Sequence, residues 1–296
     1  MRRPTLEDRL EYIGVILFLK GARLLSPVWA LRLGSALGHL AFDLFRFRRT
    51  VTLSNLRTHM ADSDLRCSRV RVGRRSYANF GMTIAEFVRL PLVGRAYIDE
   101  HVNVEGLQNL DRAMRAGKGA ILVTGHFGSW ELMGCVLAHL GYPVTFVVGI
   151  QRNPLVQALM NDLRHQAGIE IIELTSTQGI VRALRAGRFI AMLCDQDAGR
   201  AGVFVRFLGD QASTAQGAAG LAIITGAPII PGFIVRLGGS KQRIVIERPV
   251  PAPEVKERAD AIRSITQAYT NTIESYVRQH PDHWLWAHRR WKTRPV

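Results

Sequence analysis

The apolar positions of the chain change their spacing twice. From Tyr12 to Leu37 they crowd together: the run Tyr12–Leu19 is followed by Leu24, Leu25, Val28, Trp29, Leu31, Leu33 and Leu37, with Lys20, Arg23 and Arg32 set among them and His39 and Asp43 just beyond. Between Thr50 and Pro91 the residues Leu53, Leu56 and Met60, then Tyr77, Phe80, Ile84, Phe87 and Val88, recur every three or four places, which is the period of a helix face. Beyond about Val102 short apolar runs alternate with amphipathic stretches. The runs predict strands at Ala120–Thr124, Val144–Ile150, Ile169–Leu174, Phe189–Cys194, Val203–Phe207, Ile229–Leu237 and Arg243–Glu247. The stretches predict helices at Leu107–Arg115, Trp130–Leu140, Pro154–Ala167, Gln178–Ala186, Thr214–Thr225 and Ala259–Arg278. Such alternation specifies an α/β fold with a central, mostly parallel sheet flanked by helices. Two blocks follow: a helical segment, 1–50, and a domain, 51–296, made of a helical lead-in (51–100), an α/β core (101–250) and a closing helix with a basic, aromatic tail (251–296).

The composition narrows the class. With 47% hydrophobic and 21% charged residues over 296 positions, the chain can bury a large core, which excludes a disordered basic tail. Cys67, Cys135 and Cys194 are too widely spaced for a disulfide framework, so a reducing compartment is expected. Lys and Arg number 39 against 24 Asp and Glu, a formal charge of +15, and call for a polyanionic partner: nucleic acid, an anionic membrane surface or a phosphate-bearing substrate. The first block points to the membrane. No unbroken apolar stretch reaches the ~18 residues of a spanning helix, and no small-residue cleavage site follows the apolar core, so the segment reads as an uncleaved membrane-associated element. It is either an oblique span or an interfacial amphipathic pair broken near Pro27, ending in Arg46, Arg48 and Arg49. A buried helical hairpin is the plainer alternative.

In open α/β sheets ligands sit beyond the carboxyl ends of the strands. Three such ends carry polar groups: Gly125-His126-Phe127-Gly128-Ser129-Trp130-Glu131, Gln151-Arg152-Asn153-Pro154 and Asp195-Gln196-Asp197. In the first, a histidine leaves a strand and a carboxylate follows five residues later in the first turn of a helix, so Glu131 can fold back onto one imidazole nitrogen and leave the other free to take a proton. Glycines at 125 and 128 remove bulk, and backbone N–H groups near Gly128 and Ser129 can face a developing oxyanion. This chemistry suits acyl transfer to a hydroxyl. The same spacing also fits a structural histidine and a glutamate favoured by the helix dipole. Ser129 reads as a helix cap, since the GxSxG elbow of a serine nucleophile is missing. HExxH, paired Cys/His spacings, Walker A and GxGxxG are also missing, so neither a metal nor a bound cofactor is expected.

The heptapeptide 125–131 resembles the HX4D/E motif of the glycerolipid acyltransferase superfamily, in the form shared by the bacterial lipid A secondary acyltransferases and their mycobacterial phosphatidylinositol mannoside relatives. Arg152-Asn153-Pro154, Asp195-Gln196-Asp197, Val205-Arg206-Phe207-Leu208-Gly209 followed by Thr214, Leu221–Pro228 through Pro231, and Trp284–Pro295 fall in that family's order, so the resemblance covers nearly the whole chain. It implies transfer of a fatty acyl chain from an acyl carrier protein thioester, or acyl-CoA, to a hydroxyl of an anionic glycolipid, a lipid A precursor, at the cytoplasmic face of the inner membrane. By resemblance His126 is the general base, Glu131 its partner, and Arg152 stabilises negative charge on an oxyanion or a lipid phosphate. Gly128, Ser129, Asn153, Asp195, Asp197, Arg206, His288, Arg289 and Arg290 are candidate substrate contacts. The aromatic and cationic tail around Trp284, Trp286 and Trp291 suits headgroups and phosphates, or else packs as a C-terminal core segment.

Three rivals differ in what they would acylate or bind. A mannoside-type acyltransferase using acyl-CoA shares the fold and the His/Glu pair, and an acyl hydrolase would use water as acceptor. A basic nucleic-acid binder accounts for the charge but for neither the strand-edge cluster nor the apolar first block, so nucleic acid is not expected as a partner.

Overall fold

The computed structural model describes residues 3–251, 255 and 257–295; the ends of the two predicted blocks at 1–2 and 296, with positions 252–254 and 256, lie outside the described residues. Seven strands form one sheet: β1 (Val102–Glu105), β2 (Ala120–Thr124), β3 (Val144–Val148), β4 (Glu170–Glu173), β5 (Phe189–Leu193), β8 (Ile229–Gly238) and β9 (Lys241–Ile246). Their order is β1-β9-β8-β2-β5-β3-β4. Every neighbouring pair is parallel except the hairpin of β8 with β9. All five residues of β2 are buried, as expected for a central parallel strand covered on both faces.

One face carries α7 (Trp130–His139) and α8 (Pro154–Gln166), whose Leu132, Val136, Leu137 and Leu163 join Leu122, Val144 and Phe146 in one core. The other carries α9 (Thr177–Arg185), α10 (Gly217–Thr225) and α11 (Arg258–Gln279), whose Ile180, Leu184, Leu221 and Tyr269 pack with Ile121, Val123 and Ile190. The alternation of Ile121 and Val123 against Leu122 follows from the two-residue side-chain period of a strand.

Two departures from the sequence reading have local causes. Helix α10 begins at Gly217, because Thr214 belongs to β7 (Asp210–Thr214), which pairs antiparallel with β6 (Val203–Phe207). Leu208 and Gly209, both at positive φ (50° and 90°), form the two-residue connection, the backbone that a tight hairpin requires. Strand β1, too short to register in the apolar pattern, is held at the edge by β9.

Before the sheet come α1 (Leu6–Leu24), α2 (Pro27–Asp43), α3 (Arg49–His59), α4 (Arg69–Val88) and α5 (Arg95–His101), with α6 (Leu107–Ala116) after β1. The break between α1 and α2 falls at Ser26-Pro27, as predicted. Helix α2 lies backbone to backbone on α4: a Cβ at Gly34 would stand 2.4 Å from the Gly81 carbonyl oxygen, and one at Gly38 would stand 2.1 Å from that of Tyr77. Helix α1 packs on α8. Among the described residues no helix is long and apolar enough to cross a membrane. Yet Leu6, Leu10, Ile13, Leu17 and Leu24 are exposed along one stripe of α1, and Trp29, Leu33, Leu37, Leu40 and Leu44 along one of α2. The tail is largely core: Trp284, Trp286 and Trp291 are buried in the cluster on the α11 face, and of its cations Arg289, Lys292 and Arg294 are exposed while Arg290 is buried.

Candidate functional site

Strand register creates the site. Thr124 pairs with Leu193 across β2 and β5, so the residues two places beyond each, His126 and Asp195, emerge side by side. His126 Nδ1 lies 2.8 Å from Asp195 Oδ1, and the His126 backbone N–H donates to Oδ2 at 2.7 Å. The indole N–H of Trp284 donates to the same Oδ2 at 2.7 Å. Gly125 makes room for this: a Cβ there would stand 2.9 Å from Oδ2. Burial alone would push the Asp195 carboxyl up, but the His126 charge and these hydrogen bonds outweigh it and hold the group down to about 2. An ionised carboxylate accepts, so in the neutral ring Nδ1 carries the proton and Nε2 keeps its lone pair. The side-chain amide nitrogen of Gln196 lies 3.2 Å from Nε2.

The partner of His126 is therefore Asp195, where the sequence suggested Glu131. The first turn of α7 directs Glu131 toward α8, and both its oxygens are taken by Arg164, at 3.1 Å from Nε and 2.6 Å from Nη2. With both side chains buried, the carboxylate needs a cation more than it needs a neutral ring. Arg164 was not foreseen, although Gln157, Asn161 and Arg164 recur at helical spacing along α8 and place a polar stripe on a face that also carries Met160 and Leu163.

A cavity of about 410 Å³ opens between the sheet and helices α7 and α8. Its polar end lies beyond the strand ends, where His126, Glu131, Arg164 and Gln196 meet Gln151. Its apolar end is walled by Leu122, Val144 and Phe146 of the strands and by Met133 and Leu137 of α7. Phe146 reaches in over Gly134, where a Cβ would stand 2.2 Å from the ring. Thr124 also lines the cavity, and its buried hydroxyl makes no hydrogen bond to any described residue.

The remaining predicted residues are distributed differently. Gly128 takes φ +57°, and a Cβ there would meet the Ile234 carbonyl oxygen at 2.1 Å. Its N–H donates to the His283 carbonyl, which locks the turn. Ser129 is the N-cap residue of α7, but its buried hydroxyl makes no cap bond and reaches no described partner, so the expected capping contact is missing and no base activates the oxygen. Burial pushes the Cys194 thiol up to about 12, which removes it as a nucleophile.

Arg152 stands away from the cavity, its side chain 69% exposed, and pairs with Glu7 and Glu11 of α1 at 3.2 and 3.7 Å. Gln151 lines the cavity but Arg152, engaged with α1, does not, so an oxyanion contact from Arg152 does not form here. Asn153 caps α8 through its oxygen and ties α1 through its nitrogen, to Asp8 and Glu11. Asp197 accepts from Gly199 and Thr293, and its own N–H donates to His288, whose ring burial makes less basic. The Arg290 guanidinium donates to the carbonyls of Gln196 and Ser213 and to the Thr214 hydroxyl. Arg206 and Arg289 lie on the surface. Apart from His126 and Glu131, none of the predicted site residues lines the cavity; Asp195 stands behind His126, and Asp197 with the tail residues braces the loop that carries it.

Known proteins resemble the chain over most of its length. The family model described as bacterial lipid A biosynthesis acyltransferase matches residues 5–293. A lipid A biosynthesis palmitoleoyltransferase of Escherichia coli (strain K12) is 29% identical over 272 residues, covering 89% of this chain and 85% of its own. A lipid A biosynthesis lauroyltransferase of the same strain is 26% identical over 288 residues, covering 97% and 92%. A phosphatidylinositol mannoside acyltransferase of Mycolicibacterium smegmatis (strain ATCC 700084 / mc(2)155) is 27% identical over 224 residues, covering 74% and 71%.

Proposed function

The chain belongs to the bacterial lipid A biosynthesis acyltransferase family and is an O-acyltransferase, and from that premise we propose that it moves a fatty acyl chain from an acyl carrier protein thioester to a hydroxyl of a lipid A precursor, with His126 as general base. The observation that carries this reading is the His126–Asp195 pair standing at the polar end of a cavity whose other end is apolar. The apolar end suits the alkyl chain, which places the thioester carbonyl beside the imidazole.

The acceptor hydroxyl replaces the Gln196 amide at Nε2 and gives its proton to that nitrogen as its oxygen attacks the thioester carbon. The carbonyl electron pair moves onto oxygen, where the first-turn N–H groups of α7, left without a side-chain cap, offer positive potential. When the carbonyl reforms, the C–S bond breaks and the sulfur leaves with the proton from the imidazolium. Asp195 supports the imidazolium throughout and keeps the tautomer. Glu131 belongs to the site through Arg164, which it holds as a fixed cation at the polar end, suited to a phosphate on donor or acceptor.

The exposed apolar stripes of α1 and α2, with Lys20, Arg32 and Arg46 at their margins, support an in-plane anchor on the anionic cytoplasmic face of the inner membrane. The exposed Arg289, Lys292 and Arg294, within a chain of net charge +15, suit an acidic carrier protein. The lipid A acceptor is preferred to a mannoside because the lipid A relatives span 89–97% of this chain and the mannoside relative 74%. Purified protein offered carrier-protein and coenzyme A thioesters, each with a lipid A precursor or a phosphatidylinositol mannoside, is expected to add one acyl mass to the lipid A precursor fastest with the carrier protein. Transfer confined to the mannoside, or free fatty acid as the only product, would overturn the reading.

A further inference from the structure

The segment that follows α11 holds both loops of the catalytic edge. Leu285 N–H donates to the His126 carbonyl at 3.1 Å, and the Gly128 N–H donates to the His283 carbonyl at 2.9 Å. Between those two anchors Trp284, 1% exposed, sends its indole N–H to Asp195 Oδ2 at 2.7 Å. Its ring packs edge-on against Phe207 and Trp286, with centroids 5.4 and 4.7 Å away.

We propose that Trp284 is a positioning residue for acyl transfer, acting through Asp195 to fix the ring and the basicity of His126. The inference rests on the reading of His126 as the base. Oδ2 receives two donors from different directions, the His126 backbone and the indole, and these pin the carboxylate plane so that Oδ1 faces Nδ1. The indole also draws charge from the carboxylate. Without it Asp195 is left with one donor fewer and attracts the Nδ1 proton more strongly, so the charged form of the ring is favoured and the acid limb of the rate profile moves to higher pH. The other groups facing this pair are Cys194 on its own strand end and His288 and Arg290 from the tail, and a change confined to the indole leaves them in place.

The test is the pH profile of kcat/KM for the full-length protein with a lauroyl thioester and a lipid A precursor. Trp284→Phe, and a second variant with benzothienylalanine at 284, which keeps the ring volume but has sulfur in place of N–H, are compared with Trp286→Phe, whose indole donates to the Pro281 carbonyl instead. Both changes at 284 are expected to lower kcat about tenfold with KM nearly constant, and to raise the acid limb by about half a unit or more. Trp286→Phe is expected to leave the limb where it is. Should Trp284→Phe fail to fold, the isostere alone decides. An unmoved acid limb in the folded 284 variants, or the same displacement in Trp286→Phe, overturns the role of Trp284. His126→Ala run beside them separates the two claims: if it keeps wild-type turnover the base assignment falls as well, and if it is inactive while the isostere behaves as wild type, only the Trp284 inference falls.

Discussion

At the carboxyl edge of β2 and β5 charged groups are buried, and along α1 and α2 apolar groups are exposed. Each reverses the usual placement, and each is arranged differently. At the strand edge Asp195 has three donors, Glu131 has both oxygens on Arg164, and Arg290 is bound to two carbonyls and a hydroxyl, so buried charge is compensated almost atom by atom. On the helices Leu10, Leu17, Leu24 and Leu37 stay exposed among the described residues. The first region is complete within the chain and is built to hold a geometry. The second leaves its apolar side chains exposed, and in the function proposed above they meet a membrane surface and hold the protein's position. Changes at the strand edge should therefore alter rate, and changes on the helices should alter where the protein resides.

The largest effect is expected at Asp195. Asp195→Asn keeps the shape but can present an amide N–H to Nδ1, which favours the wrong tautomer and withdraws the charge behind the imidazolium; single-turnover assays should find a loss within about tenfold of that caused by removing the ring itself. An unchanged rate would mean that the 2.8 Å contact is structural only.

Glu131 comes next, with a different signature. Glu131→Gln leaves the Arg164 guanidinium buried against a neutral amide, and breaking such a pair costs on the order of 3–5 kcal/mol, so chemical denaturation should detect it before kinetics do. The paired change Glu131→Leu with Arg164→Met should recover most of that stability while still lacking the cation at the polar end. Recovery of transfer together with stability would remove the pair from catalysis.

The anchor is tested by Leu10→Glu with Leu17→Glu. Flotation with vesicles containing anionic lipid should drop severalfold, while turnover on a detergent-dispersed acceptor holds. Retained flotation would leave the apolar stripes unexplained.

The smallest effect is expected at Arg152. Its exposed pairs with Glu7 and Glu11 are worth about 0.2–1 kcal/mol, so Arg152→Ala should lower Tm slightly and leave kcat/KM intact. A large kinetic loss would bring the residue back to the reacting groups.

Acid stability follows the same division. The Asp195 carboxyl is held below its ordinary value, so its contribution is present above about 4 and is lost as pH falls toward about 2. The Tm gap between wild type and Asp195→Asn should narrow across that window, and an equal gap at both ends would count against the buried ionised pair.

Much of the strand edge was legible in the chain because β2 and β5 are apolar runs bounded by turn residues, and Gly125–Glu131 follows the first of them directly. The partner of His126 was not, because it depends on β5 lying beside β2, and that order is set by how helices pack on the two faces rather than by any local pattern. In the sequence Asp195 reads as a strand-end carboxylate, and register alone joins it to the ring. The tail misled for another reason: Trp and Arg are amphipathic, and Trp284-Leu-Trp with Arg290 and Trp291 reads equally as a headgroup belt or as core until α11 and β6 are in place around it. Arg152 and Arg164 show the converse. The arginine at the strand end faces outward, and the one twelve residues later, in the helix, faces the cavity, because Asn153-Pro154 fixes where α8 begins and therefore which face its later turns present.

The most direct measurement is the transfer product formed by folded His126→Ala beside wild type, with Tm matched to establish the fold, read by mass spectrometry of the lipid A precursor after incubation with an acyl carrier protein thioester. Wild type should add one acyl chain, and the variant should be slower by on the order of 10²–10⁴. An acylated precursor accumulating at the wild-type rate from the folded variant would contradict the assignment of His126, and with it the reading of the cavity beside it.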